Sequence, residues 1–232
     1  MPGVSRRAER LDDRFEHRVY DEVVAVDASG REVSVARFDT EGQVVMAVVL
    51  GWRRGAGPAI GHDRAAAHAA ELVHSAGLRV SGRPDVRAST GAGGWSVSWP
   101  RVVDGIPVVG DGVRVSLWLD GSFHALARTE RPLAPVPSQR LSLGEARKAA
   151  QSIVVGRFGD QASDLRQVAS DLAWVAPNDT WAADRPDAPA ETLRLAWVVR
   201  FEARGALAER LRLVEYWLDA GTGSLLGGDI AE

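Results

Sequence analysis

The chain contains no cysteine. Disulfides, thiolate zinc sites and cysteine nucleophiles are therefore excluded, and redox chemistry says nothing about compartment. Lysine is almost missing too, with Lys148 alone among 28 basic residues. That skew fits coding bias better than phosphate recognition, because the arginines form no basic stripe. Residues 1–131 hold 17 Arg and 17 acids, and the acidic excess behind the net charge of −3 lies beyond them. Nucleic acid is thus a poor partner. No run reaches the roughly 20 apolar residues that a membrane helix needs. The opening MPGVSRRAERLDDRFEHRVYDE lacks the apolar stretch of a signal peptide. Catalytic signatures are missing as well. There is no H-E-x-x-H and no G-x-S-x-G, and Gly91–Gly94 is not followed by the Lys-Ser/Thr of a phosphate loop.

What is present reads as an α+β chain. A length of 232 residues suits one large domain or two small ones. A chain of this size buries roughly 70–75% of its unfolded surface and needs no staples. Residues 1–18 are charged and suggest a short helix or no fixed structure. Glu22–Asp27, Arg31–Phe38 and Val44–Trp52 are strand-like runs separated by Asp-containing turns, an N-terminal β-meander over 1–60 that joins the first helix-and-sheet unit. A Gly/Pro loop spans Gly55–Gly61, and Gly82–Gly94 reads as loop. Asp63–Ala76 is a helix with Asp63 as N-cap, Gly77 as its stop, and Ala66, Ala69, Ala70 and Val73 as its apolar stripe. Pro132–Pro137 reads as a stiff linker. Ser142 with Glu145 three residues on is a capping box, opening a second helix with Ala146, Ala149, Ala150, Ile153 and Val154 inward. Strands come next near Arg166–Val175, Thr192–Glu202, Leu211–Asp219 and Ser224–Leu226, with a polar loop over Pro177–Pro189. The plan of one helix and then an antiparallel sheet occurs twice, over 61–134 and 138–232.

The run Trp95–Leu133 carries Gly105-Ile106-Pro107-Val108, then Gly110-Asp111-Gly112, then the hairpin turn Asp120-Gly121. Later come Ser142-Leu143-Gly144-Glu145-Ala146, Leu195–Val199, and Tyr216–Leu226 with Asp219-Ala220-Gly221-Thr222-Gly223 inside it. In this order, residues 95–228 resemble the propeptide of thermolysin-type secreted proteases joined to a PepSY domain. The strand ahead of the Gly-Ile-Pro-Val turn, which carries His and Gln in that family, is Trp-rich here, and no protease comes after. The resemblance implies tandem cystatin-like units, each one helix packed on a curled antiparallel sheet.

Few residues suggest chemistry. His62, His68 and His74 are six apart, so on a helix they project about 120° from one another and cannot converge on one ion. Asp104-Gly105, Asp111-Gly112 and Asp120-Gly121 each place one carboxylate beside a glycine, which is turn chemistry and not the alternating oxygen series of a calcium loop. Trp95, Trp99 and Arg101 share strand parity, and the row is either core packing or an exposed face, for which these three are the candidate partner-binding residues. Gly105, Ile106, Pro107, Gly110, Asp111, Gly112, Asp219 and Gly223 are the motif-turn residues, with a structural role. Neither a cofactor nor a metal is expected, and no enzyme. The expected function is a non-catalytic interaction module that inhibits or chaperones a secreted metalloprotease in trans. The alternative is an envelope-associated PepSY-like scaffold or ligand-binding protein. Either reading places the chain outside the cell or in the envelope, as a trimmed or anchorless form, with the cytoplasm as the remaining option.

Overall fold

The computed structural model describes residues 5–13, 18–50, 57–89, 93–181 and 192–231. The chain divides into two compact units. The first comprises Met1–Arg101 with Asp111–Glu130, and the second Val102–Gly110 with Arg131–Glu232. The class is α+β, with antiparallel-rich, curled sheet structure and two α-helices among the described residues. The last residues of the Val44–Trp52 run, the start of the Gly55–Gly61 loop, the first half of the Gly91–Gly94 segment and the Pro177–Pro189 loop beyond Trp181 lie outside those residues.

The first unit contains β1 (Ser5–Asp13), β2 (Arg18–Val26), β3 (Glu32–Phe38), β4 (Val44–Val49), α1 (His62–Ser75), β5 (Asp85–Ser89), β8 (Phe123–Thr129) and the larger parts of β6 (Gly94–Val103) and β7 (Ile106–Trp118), whose ends within Val102–Gly110 belong to the second. Its strands run in the spatial order β1-β2-β3-β4-β8-β7-β6-β5. Within the charged opening segment, residues 5–13 form a strand and not a helix: Ser5↔Val26 through Asp13↔Arg18 pair along all of β1, and the rest of residues 1–17 lies outside the described residues. An edge strand with one neighbour can keep its charges in water, and those charges discourage further pairing. Asp85–Ser89, expected as loop, is likewise a strand, paired with β6 from Asp85↔Ser98 to Ser89↔Gly94.

Helix α1 starts at N-cap Gly61 with no side-chain cap, two residues before the expected Asp63. Ile60 sets the entry, because its N–H donates to the Leu119 carbonyl at 2.8 Å. Asp63 is left in the first turn, where a carboxylate suits the helix dipole. The end is as read: Gly77 has φ 72°. Its N–H donates to His74 O at 2.9 Å and the Leu78 N–H to Val73 O at 3.1 Å, the paired bonds of a Schellman motif. The buried stripe is Ala65, Ala69 and Val73: Ala69 and Val73 are as expected, while Ala66 is half-buried and Ala70 exposed. It packs on Val97, Trp99, Val113, Val115, Leu117 and Leu126.

The second unit contains α2 (Leu143–Phe158), β9 (Leu165–Val175), β10 (Arg194–Ala203), β11 (Leu213–Asp219) and β12 (Leu225–Ala231), joined through 3-10 turns at Gly159–Asp164 and Gly205–Glu209. The four strands pair consecutively and antiparallel. The capping box is formed. Ser142 Oγ accepts from the Glu145 N–H at 3.3 Å, and Glu145 Oε2 accepts from the Ser142 N–H at 2.7 Å. Ala146, Ala150 and Val154 are buried against Val199, Phe201, Val214, Tyr216 and Leu218. Both helices thus use Ala-x3-Ala-x3-Val, two small residues that let the backbone approach the sheet and one larger residue that fills the far end. The proline-rich stretch read as a linker is bound into this unit. Ala134 N–H donates to Leu193 O, and Leu193 N–H to Pro132 O, both at 2.8 Å.

Candidate functional site

The motif residues fall into two clusters, one on the β6–β7 hairpin and one on the β11–β12 hairpin. In the first, Asp104 (φ 51°) and Gly105 (φ 77°) are both left-handed, which is what a two-residue hairpin turn of the I′ kind requires. Ile106 is half-buried and Pro107 exposed, and both begin β7. Val108 is buried with Trp174, Leu193 and Leu195, and pairs in parallel with Trp174 of β9. Gly110 leaves room for Arg131, whose guanidinium donates to Val109 O at 3.1 Å. Gly112 has φ 134°, and a Cβ there would sit 2.2 Å from the Trp99 carbonyl. The close crossing of β6 and β7 therefore demands glycine. Gly110-Asp111-Gly112 is thus not the turn its sequence suggests but a stretch inside β7, where Asp111 is buried and Arg101 donates to its carboxylate at 3.3 Å. Arg101 also reaches Glu130 at 3.5 Å.

The second cluster centres on Asp219, which with Asp111 makes the buried charged pair of positions among the described residues. Its Oδ1 accepts from Gly221 N–H at 3.0 Å, Thr222 N–H at 2.9 Å and Thr222 Oγ1 at 3.1 Å. Its other oxygen meets Arg194 at 2.6 Å. Burial pushes the carboxyl up, but the Thr222 and Gly221 donors and Arg194 outweigh it, so Asp219 sits below its usual value. Gly223 (φ 74°) closes the turn, its N–H donating to Asp219 O at 2.8 Å. The same device recurs at three other hairpins. Asp27 accepts from Ser29 and Arg31, Asp39 from Glu41 and Gln43, and Asp120 from Ser122 and Gly57. All three carboxyls are held low, Asp27 and Asp120 chiefly by the neighbouring serine hydroxyl. At Asp39 burial pushes the other way, and the backbone donors and Arg128 prevail.

Trp95, Trp99 and Arg101 do not form an open face. Trp99 is 5% exposed in the core beneath α1, and Val97, of the same parity, is fully buried. The row they share is the face that the helix covers. Trp95 packs at its margin, edge-on to His62 at 6.3 Å, and its indole N–H is buried without a partner among the described residues. Arg101 ends the row by turning to Asp111. Trp118, Trp174 and Trp217 are also buried, and Trp181 and Trp197 half-buried. Among the described residues no tryptophan is exposed.

The histidines stay apart. His62 meets Asp63 at 2.9 Å, His68 lies beside Gly121, and His74 is exposed. Among the described residues no three His, Asp or Glu gather as a metal site would need. A cavity of about 470 Å³ opens in the first unit, lined by Arg18, Tyr20, Asp39, Glu41, Arg128 and Glu130. Arg128 binds Asp39 and Gln43, and Arg18 donates to Glu130 O at 3.4 Å. Its cations are thus engaged by the protein's own oxygens. No described helix is long and apolar enough to cross a membrane.

One assembly escaped sequence reading. Asn178 and Trp181, from the segment read as polar loop, cross the outer edge of β12 at Gly227-Gly228. Adjacent glycines in a strand signal close approach of another chain segment, and that was the available clue.

The whole chain superposes on the Bacillus megaterium YpeB C-terminal domain with a TM-score of 0.55 at 11% identity, covering 100% of this chain and 91% of that one. At that identity the likeness shows the fold alone. No family model matches the chain, and no curated protein matches it.

Proposed function

We propose that the chain is a non-catalytic PepSY-like binding module, built of two cystatin-like units, that engages a secreted metalloprotease in trans as a propeptide does. One observation carries this reading: the motifs shared with protease propeptides close turns and pair strands, so action falls to the surface. The likeness in fold to the YpeB C-terminal domain is compatible with it. With Trp99 in the core, the contact lies elsewhere. Strand β5 is the candidate, since it pairs with β6 alone among the described residues and is largely exposed. An extended edge strand can lie in a protease cleft as a substrate segment does, by main-chain hydrogen bonds. Such a partner places the chain outside the cell or in the envelope.

The test is titration of the purified chain into a thermolysin-type metalloprotease. Stoichiometric loss of peptidase activity is expected. Successive strand N–H groups point to opposite sides, so one of Val86→Pro and Arg87→Pro blocks the outer edge. That variant should lose inhibition while keeping its melting temperature. Full protease activity at excess chain ends this reading. The envelope scaffold then remains, read by retention on cell-wall material.

A further inference from the structure

The edge of β12 is occupied by the chain itself. Asn178 N–H donates to Leu226 O at 2.9 Å, as a neighbouring strand would. Its carboxamide then acts as a second peptide unit: Nδ2 donates to Gly228 O at 2.8 Å, and Oδ1 accepts from Gly228 N–H at 3.0 Å. Three residues on, the Trp181 indole N–H passes over Gly228 to Glu215 O of β11 at 2.8 Å. The ring stacks on Tyr216 at 4.9 Å, with the Arg157 guanidinium 5.2 Å from its centre. The seat is cut to this occupant. A Cβ on Gly228 would stand 2.1 Å from the Trp181 indole nitrogen and 2.0 Å from Glu215 O, and a Cβ on Gly227 would stand 2.1 Å from Asn178 Oδ1. Glycines weaken a strand, so two in succession with no room for a methyl mark a site formed around a second segment. That segment is half-exposed at Asn178 and Trp181, with exposed residues at Asp179 and Thr180 between them.

We infer that Gly227–Gly228, Glu215 and Tyr216 form a recognition site for an extended peptide of a protein partner, one carrying a carboxamide and, three residues later, an indole. Asn178–Trp181 is its resident occupant. The partner's segment adds to the β12 edge when the resident leaves, so the site is self-blocked at rest. Edge addition of this kind takes affinity from main-chain bonds and specificity from side-chain pockets.

The probe is a labelled peptide of residues 176–181, Ala-Pro-Asn-Asp-Thr-Trp, monitored by fluorescence anisotropy. The Asn178→Ala/Trp181→Ala chain, with its seat vacated, should bind it at least about tenfold tighter than the wild type, because a resident competitor lowers apparent affinity by the fraction of free seats. Adding Gly228→Ala to the vacated chain, or replacing the peptide's Asn by Ala, should abolish binding. If the double variant does not fold, Trp181→Phe serves, since it keeps the ring on Tyr216 and loses the indole donor; the same peptide should again bind more tightly than to wild type. No gain in a folded variant overturns the proposal, as does equal binding of the Asn→Ala peptide. Appearance of a dimer in place of peptide binding also overturns it, in favour of exchange between copies. A peptide binds here or fails to bind whether or not a protease is the partner.

Discussion

Both units place an Ala-x3-Ala-x3-Val helix on a four-stranded antiparallel meander, β5–β8 in one and β9–β12 in the other, yet they treat the last strand of that meander differently. In the first unit the free edge of β8 is taken by β4, through Met46↔Ala127 to Val48↔Ala125, and β3, β2 and β1 continue the sheet outward. In the second, the edge of β12 receives one asparagine and one tryptophan. An unpaired strand edge invites adventitious pairing, and either solution satisfies it. The first moves the edge outward to a strand rich in charge. The second keeps the edge in place and covers it with a short segment held by a few bonds, which is reversible in a way that four more strands are not.

The sharpest break of this comparison is at the glycines. Gly228→Ala and Gly112→Ala should each cost about 3 kcal/mol or more in urea melts, since a Cβ meets backbone oxygen at 2.0 and 2.2 Å and overpacking of this sort is not relieved by side-chain motion. They differ in rescue. Trp181→Ala should recover about 1 kcal/mol of the Gly228→Ala loss, because part of that clash is with the indole, and none of the Gly112→Ala loss. Equal non-additivity in both would mean that the strap does not depend on Gly228.

Next in size is Asp219→Ala, expected to cost about 2–3 kcal/mol, since it strands the Thr222 and Gly221 donors and Arg194. The effect depends on pH. The folded-state pKa of Asp219 lies below its unfolded value of about 3.9, so its contribution is complete above that pH and fades as pH falls through the lower folded value. Urea midpoints of wild type and Asp219→Asn should therefore differ at pH 7 and converge as pH falls through the lower folded value. A gap unchanged in acid would show that the carboxylate charge does not matter.

The helix starts give a smaller contrast. Ser142→Ala should cost about 1 kcal/mol by undoing the capping box, whereas Gly61→Ser should add a few tenths, about 0.3 kcal/mol. Gly61 has the extended conformation of an N-cap and open space around a Cβ, so the cap that α2 has can be supplied to α1. Thermal melts of the two variants should move in opposite directions. Smallest of all is Tyr216→Phe. The hydroxyl is buried with no partner among the described residues, and burial pushes the phenol up to about 12. Removing it should leave stability unchanged or raise it by up to about 1 kcal/mol, because an unsatisfied polar group goes with it. A loss above that would reveal a partner for the hydroxyl.

Much of the fold was legible because its signals are local. The Ser142–Glu145 box, the Gly77 stop and the turns at Asp104-Gly105 and Asp120-Gly121 each act within a few residues and stand where the sequence placed them, whereas Asp111-Gly112, read as a turn, lies inside strand β7. The start of α1 was misplaced because its anchor, Ile60 to Leu119, joins residues far apart in the chain. Strand β1 was hidden because charge patterns report solvent and not hydrogen bonding, and an edge strand has both. Trp95, Trp99 and Arg101 do share one face, as their parity requires, but parity does not say what lies over a face.

By itself, then, the sequence determined the α+β class, the helix-then-meander order and the turn chemistry, since propensity, capping and period-2 alternation are short-range. Only the tertiary structure decided that the tryptophan row is core, that the two buried aspartates are ion-paired, and that Asn178 and Trp181 close the edge of β12. Those outcomes rest on contacts between residues up to 50 positions apart, such as Asn178 with Gly228, and such contacts form only when the whole sheet is in register.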